Sequence, residues 1–265
     1  MDRFLRAALC LLLAAICAAG VLVVSAQEVL EEIVQQKYPV DPNAKFTLQN
    51  ADGSVRIYGA NTSEMRVQAI KKAYTKERLS RIDVNVAVHP GTVAIRTGYP
   101  PKPKWGLTDR SGTVDYVIIL PWFCEVQQVE LGNGELLIDG MRGNAVHAQL
   151  GNGRAFGHNC FTDLHLDVGT GGLEVAYDWW ENHHIALSAK IAGGNSYVLI
   201  PGDAEFRLHA ETVNGHVFNY FSANQDRPGG RAKLDLEVGP NPNAEVAIHA
   251  VNGSINIRES YPDYE

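Results

Sequence analysis

The feature that most constrains the fold is a short motif, a small polar residue followed by glycine, which recurs along the 265-residue chain. It occurs at Asn133-Gly134, Asn152-Gly153, Thr170-Gly171, Gly193-Gly194, Asn214-Gly215 and Asn252-Gly253, with a less regular copy at Asp52-Gly53. Between positions 134 and 253 the successive glycines are 19, 18, 23, 21 and 38 residues apart. A fixed period indicates a repeat architecture, and because the last interval is twice 19, one repeat is expected to be missing or degenerate there.

Each motif follows a stretch in which apolar and polar residues alternate. The positions seven, five and three before the glycine are apolar with two exceptions, as in Val146, Ala148 and Leu150, and the positions between them are polar except for Ala247. Alternation with period two predicts a strand with one buried face. Since Asn and Gly tolerate positive φ, the motif predicts a bend between this strand and a second, shorter one.

Two all-β architectures can use such a unit. In a β-solenoid, similar to a single-stranded β-helix, each repeat of about 20 residues forms one rung, and equivalent positions stack in columns. In an antiparallel β-sandwich or barrel, each Asn-Gly pair is instead a hairpin turn. We favour the solenoid, because equivalent positions keep their character from repeat to repeat, including the polar column.

The chain divides into four parts. Residues 1–26 have a basic start, an apolar run and small residues before Gln27, which predicts a cleaved signal peptide; an uncleaved membrane anchor over 7–24 is the alternative. Residues 27–44 form an N-terminal segment or cap, in which Glu28 to Gln36 suits a short amphipathic helix. The repeat-built β domain covers 45–258, and 259–265 is a tail that could cap the other end.

Composition limits the functions that fit the chain. A formal charge of −7 gives no long-range attraction to nucleic acid or anionic lipid, so we expect no nucleic-acid partner, and membrane contact only through 7–24 if that segment is retained. The sequence has no nucleophile elbow, phosphate loop, dinucleotide fingerprint or closed metal motif. We therefore expect a non-enzymatic protein without cofactor or metal.

Five stretches within about Lys45 to Ile257 show the glycine frame and its flanking strands: FTLQNADGSVRIYG, RIDVNVAVHPGTVAIRTGYP, GTVDYVIILP, VELGNGELLIDGMRGNAVHAQLGNG and HAETVNGHVF. They resemble the bacterial putative adhesin domain family, whose function is unknown. The resemblance rests on the glycine frame and on strands that end in an aliphatic residue and Pro. It implies an exported, solenoid-like domain with a structural or adhesive role at the envelope, in the periplasm, on the cell surface or secreted. Its partner would be an envelope or extracellular protein or glycan, and no active site is implied.

The polar columns contain candidate binding residues. His147 and His165 are both six residues before their glycines, so neighbouring rungs would stack them about 4.8 Å apart, with Asp167 close by. Such a group could bind a transition metal, although a solvent-facing ladder that happens to use His explains it more simply. Glu130 and Asp167 would lie about 9 to 10 Å apart, near the separation used by inverting glycosidases, yet on an open strand face.

The adjacent Trp179 and Trp180 interrupt the repeat and form its most distinctive side-chain pair. They could stack on sugar rings or insert into a partner surface, which makes a carbohydrate-binding or carbohydrate-cleaving protein the alternative function. Otherwise, one of them folds back over the flank of the β domain.

Two cysteines, Cys124 and Cys160, remain after signal removal, and they lie close to two rungs apart. Two rungs would separate their Cα atoms by about 9.5 Å, which is too far for a disulfide. We expect buried free thiols.

Overall fold

A computed structural model of the chain describes residues 28–101, 112–221 and 232–260. The predicted signal peptide and most of the predicted tail lie outside these residues. The described part is all-β, with one five-residue helix, α1 (Lys76–Ser80). The strands are β1 (Leu30–Pro39), β2 (Lys45–Ala60), β3 (Glu64–Ala73), β4 (Asp83–His89), β5 (Thr92–Gly98), β6 (Thr113–Pro121), β7 (Glu125–Asp139), β8 (Ala145–His158), β9 (Asp163–Ala176), β10 (Ala186–Pro201), β11 (Phe206–Asn214), β12 (Val217–Asn219), β13 (Lys233–Val238), β14 (Ala244–Asn252) and β15 (Ile255–Ser260).

All of these strands belong to one open, mixed sheet. Strands β2, β7, β8, β9 and β10 lie side by side in parallel, and equivalent repeat positions face one another, as in Asn133 opposite Asn152 and Asn152 opposite Thr170. The Asn-Gly pairs of β7 and β8 therefore lie within long strands and pair with the next repeat in parallel, rather than forming hairpin turns. The predicted columns of like residues are present in this region.

The long strands bend at their motif glycines. In β7 the buried positions Val129 and Leu131 are followed by Leu136 and Ile138, an odd step that moves burial to the other side of the strand. The chain turns at Gly134, where φ is +135°. Each long strand therefore has a first arm before the bend and a second arm after it, and both arms direct their apolar side chains into one core. A side chain at Gly134 would also overlap a backbone carbonyl oxygen of β2, which explains why this position needs glycine.

At the N-terminal end, two further parallel strands, β5 and β6, and three antiparallel strands, β4, β3 and β1, complete the sheet. β5 and β6 pair with the first and second arms of β2, then β4 pairs with β5, and β3 and β1 follow outside β6. The predicted helix over 28–36 is wrong, because this segment is strand β1. Its backbone pairs with β3 along its whole length, and Glu32 forms an ion pair with Lys71 at 2.7 Å, so tertiary pairing overrides the helical periodicity.

At the C-terminal end the spatial order departs from the chain order. β14 and β15 insert between β10 on one side and β11 and β12 on the other, all in parallel. The 38-residue interval contains β13, an antiparallel strand on the outer side of β11. Of the predicted tail, Glu259 and Ser260 are the last residues of β15 and pair with β10.

The core consists of the inward-facing side chains of both arms. Its largest fully buried members include Phe46, Tyr116, Tyr177 and Phe206. Cys124 and Cys160 are buried free thiols in the described residues, and burial raises their pKa values to about 11 and about 12. Such thiols are poor nucleophiles at neutral pH.

Candidate functional site

A groove of about 980 Å³ crosses β2, β7, β8, β9 and β10 and reaches β14. Its floor is low because small residues stand two positions before the bend, among them Gly132, Gly151 and Gly169. One side is a column of polar side chains that the parallel register places next to one another: Gln49, Glu130, Gln149, Asp167, Lys190 and His249. We call this surface the polar groove.

The carboxylates of the polar groove do not form a catalytic pair. Gln149 separates Glu130 from Asp167, so two strand spacings, about 9 to 10 Å, lie between them. Glu130 accepts hydrogen bonds from Gln49 at 2.9 Å and from Gln128 at 2.5 Å, whereas the Asp167 side chain is exposed. The groove is open, so water has free access to both groups.

His147 and His165 stack as their spacing predicts. The ring centroids are 4.5 Å apart and the planes differ by 9°. Since the nitrogen lone pairs lie in the ring planes, two parallel rings do not direct them at a common ion. No group of three or more potential ligands suited to a metal ion occurs among the described residues.

The pKa of His165 is lowered, which makes the histidine stack responsive to acid. Burial is the main cause, and the neighbouring His147 adds to it, as does Lys190. Asp163 and Asp167 act in the opposite direction without cancelling the effect. The folded protein therefore favours the neutral form of this imidazole.

The structure assigns Trp179 and Trp180 to different environments. The ring of Trp180 packs against the core, 5.5 Å from that of Tyr177 and 6.2 Å from that of Phe206 between centroids. Trp179 is 46% exposed, and its indole Nε1 donates a hydrogen bond to Glu181 at 3.0 Å. Of the two expectations for this pair, folding back applies to the partly buried Trp180, and Trp179 is the more exposed ring.

Three further residues, Arg142, Phe161 and Glu181, lie close to Trp179 or to one another. Arg142 makes two hydrogen bonds to the carboxylate of Glu181, at 2.8 and 2.5 Å, and its guanidinium lies 5.1 Å from the ring centroid of Phe161. The Phe161 ring lies 5.5 Å from that of Trp179. The hydrogen bond from Arg142 is the main cause that lowers the pKa of Glu181, so this carboxylate stays charged.

Sequence reasoning missed Arg142 and Phe161, although a fixed offset identifies them. Arg142, Phe161 and Trp179 each lie eight positions after a motif glycine, so the register places them in successive turns. Arg142 also lies 6.0 Å from the ring of Trp122, in the turn before β7. We call Trp122, Arg142, Phe161, Trp179 and Glu181 the turn cluster.

Comparison with known proteins finds similarity among solved structures but not among sequences. No protein-family model and no curated protein sequence matches the chain. Among solved structures it is similar to a putative cell adhesion protein from Clostridium sporogenes, with 17% identity and a TM-score of 0.53 over 88% of this chain and 100% of that one. It also matches a putative adhesin from Bacteroides fragilis, at 11% identity and a TM-score of 0.28 over 86% of this chain and 97% of that one.

The similarity to the Clostridium sporogenes protein shows a shared fold, which agrees with the resemblance to putative adhesin domains derived from the glycine frame. In the described ranges 28–101, 112–221 and 232–260, no helix is long and apolar enough to cross a membrane.

Proposed function

We propose that the chain is an exported, non-enzymatic β-solenoid domain that acts as a structural or adhesive module at the bacterial cell envelope. One observation carries this proposal: parallel pairing stacks equivalent outward residues of successive repeats in columns, which produces long, open and repetitive surfaces. Such surfaces suit an extended partner. The named role of the Clostridium sporogenes neighbour, cell adhesion, agrees with this class of function.

The residue candidates form two contact regions in this proposal. Asp167 lines the polar groove, and His147 and His165 stand in the next outward column. Trp179 provides an exposed aromatic surface in the turn cluster, held by Glu181. Trp180 supports this region from inside the domain.

Export and adhesion have separate tests. In a bacterial host, the full chain is expected to reach the envelope or the medium, whereas a chain without residues 1–26 is expected to stay in the cytoplasm. Beads coated with residues 27–265 are expected to retain envelope fragments, and Trp179→Ala is expected to reduce retention severalfold without changing the unfolding temperature. Trp180→Ala is the matched comparison: it removes a packed ring, so it should lower the free energy of unfolding by about 3 kcal/mol.

Three results would contradict the proposal. They are an equal distribution of both chains between cell fractions, no retention of any envelope preparation by the coated beads, and release of new reducing ends from envelope polysaccharide. The last would instead support the carbohydrate-cleaving alternative.

A further inference from the structure

A second set of outward side chains forms a column on the other arm of the strands. Three positions after the bend, the register places five residues next to one another across β8, β9, β10, β15 and β12: Phe156, Glu174, Tyr197, Asn256 and Phe218. Aromatic and polar side chains therefore alternate along the column. We call these five residues the aromatic column.

The aromatic rings stand on every second strand. Neighbouring strands are about 4.8 Å apart, so the Cα atoms of Phe156, Tyr197 and Phe218 repeat at about 9 to 10 Å. Tyr197 is 39% exposed and Phe218 is 38% exposed, whereas Phe156 is half-buried. Glu174 and Asn256 place hydrogen-bonding groups between the rings.

A depression of about 550 Å³ lies between the first two rings. Gly172 leaves room at its centre, since its lack of a side chain interrupts the outward column between Arg154 and Asn195. Phe156, Glu174 and Tyr197 line the same depression. It therefore combines two aromatic rings with a carboxylate, a guanidinium and an amide.

The charges of this surface balance. On the outward positions of the second arms in β2, β7, β8, β9, β10 and β15, three arginines are matched by three acidic residues: Arg56, Arg154, Arg258, Glu135, Asp139 and Glu174. A surface without net charge favours an uncharged ligand over nucleic acid or anionic lipid.

We propose that the aromatic column binds an extended β-1,4-linked polysaccharide. In such a chain each pyranose is turned over relative to the next, so every second ring presents the same C–H face, and the disaccharide repeat is close to two strand spacings. The C–H faces stack on Phe156, Tyr197 and Phe218, while sugar hydroxyls bind Glu174 and Asn256. An extended peptide repeats every two residues, over only about 6.8 Å, so its repeat does not match the spacing of about 9 to 10 Å between the aromatic residues.

This inference rests on the proposed function, because it names a ligand class for the adhesive module. The test uses residues 27–265 with purified polysaccharides, so it does not depend on envelope retention. The β-1,4-linked test polymers are microcrystalline cellulose, chitin and isolated peptidoglycan sacculi, and comparing them shows which of these polymers the domain binds. The controls with other linkages are β-1,3-glucan and amylose. Binding to at least one β-1,4 polymer is expected, with amylose at background.

The column is tested by exposed-ring variants. Tyr197→Ala and Phe218→Ala should each lower affinity about tenfold, on the scale of aromatic platforms beneath nucleic-acid bases, and Tyr197→Phe should retain binding. The matched control is Phe123→Ala, since Phe123 is 49% exposed but lies in the turn between β6 and β7. Because these rings are exposed, the unfolding temperatures should stay close to that of the native chain.

The ligand assignment is overturned if no β-1,4 polymer binds, or if amylose binds equally well. It is also overturned if Tyr197→Ala and Phe218→Ala bind like the native chain, or if Phe123→Ala loses as much affinity as they do. Envelope retention together with any of these results would leave the adhesive proposal standing and remove only the assignment of its ligand. Polysaccharide binding without envelope retention would support the ligand assignment and contradict the adhesive proposal.

Discussion

The central repeats and the C-terminal repeats use the same motif in different spatial orders. β8, β9 and β10 each pair with the repeat before them, 18 to 23 residues earlier. At the C-terminal end, β14 and β15 lie between β10 and the pair β11 and β12, although they come later in the chain. The motif therefore determines which positions face one another but not which repeats become neighbours.

The difference also separates local from non-local pairing. β8 has its partners in the repeats immediately before and after it. Both neighbours of β11, namely β13 and β14, follow it in the chain, and the β11–β14 pairing joins residues 38 apart. β11 has no complete set of backbone partners until the last repeat has inserted, so we expect β11–β15 to form one cooperative unit.

The largest effect is expected from removing the inserted repeat. A chain that ends at residue 243 lacks β14 and β15, so β11 and β12 lose their connection to β10. We expect amide hydrogens of β11–β13 to lose protection entirely in hydrogen exchange, while those of β7–β9 stay protected. A chain that ends at residue 260 is the control and should behave like the native protein. Persistent protection of β11 in the shorter chain would show that the central and C-terminal regions are independent.

Glycine substitutions at the bends should have the next largest effect. A Cβ at Gly153, where φ is +135°, would overlap the carbonyl oxygen of Gly134, so Gly153→Ala has to separate paired strands. We expect a loss of at least about 3 kcal/mol in the free energy of unfolding, measured in urea, since a sparsely populated backbone conformation alone costs about 1 to 3 kcal/mol and the steric overlap adds to it. Gly91→Ala is the control, because Gly91 has a φ of +71° and no atom within 4 Å of an added Cβ.

The same substitution at Gly253 tests whether the C-terminal repeats unfold separately from the central repeats. Its φ is +146°, and an added Cβ would overlap the carbonyl oxygen of Gly194. We expect Gly253→Ala to release β11–β15 at low urea while the central strands unfold later. Gly153→Ala should instead shift the whole transition. If both variants gave one identical transition, the molecule would be a single cooperative unit.

The sequence predicts the repeat register well because its cause is local. Alternation identifies buried positions such as Leu164 and Leu166, and the glycine frame identifies the bends. The stacking of His147 on His165 follows from the two together. These features depend on residues within one repeat and on parallel pairing of equivalent positions, so they can be predicted from the amino-acid sequence alone.

The remaining features depend on long-range contacts. Residues 28–36 carry a helix-like pattern, but the chain from Leu30 to Pro39 forms strand β1 because β3 offers it backbone partners. The different fates of Trp179 and Trp180 depend on Phe206, which lies in another repeat. For the same reason, the pattern within the 38-residue interval does not predict that its strand β13 pairs antiparallel with β11.

The smallest predicted effect is a difference between the two regions in how the stability of the fold depends on pH. The folded state lowers the pKa of His165 from its ordinary value of 6.5, so the unfolded chain binds more protons over that range. The stability of the native protein is therefore complete above about pH 6.5 and falls as the pH drops from there towards the lowered value. His165→Gln should reduce this loss, measured as the difference in unfolding temperature between pH 7.5 and pH 5.

In the C-terminal region the group with a shifted pKa is a carboxylate, Asp235. His209 lies 2.5 Å from Asp235, and its hydrogen bond is the main cause that lowers the pKa of that carboxyl group from 3.8. The contribution of this carboxylate is present above about pH 3.8 and is lost as the pH falls through the lowered value. Asp235→Asn should therefore leave the change between pH 7.5 and pH 5 as it is in the native chain. If Asp235→Asn altered that change and His165→Gln did not, the acid response would belong to the inserted C-terminal repeats rather than to the central stack.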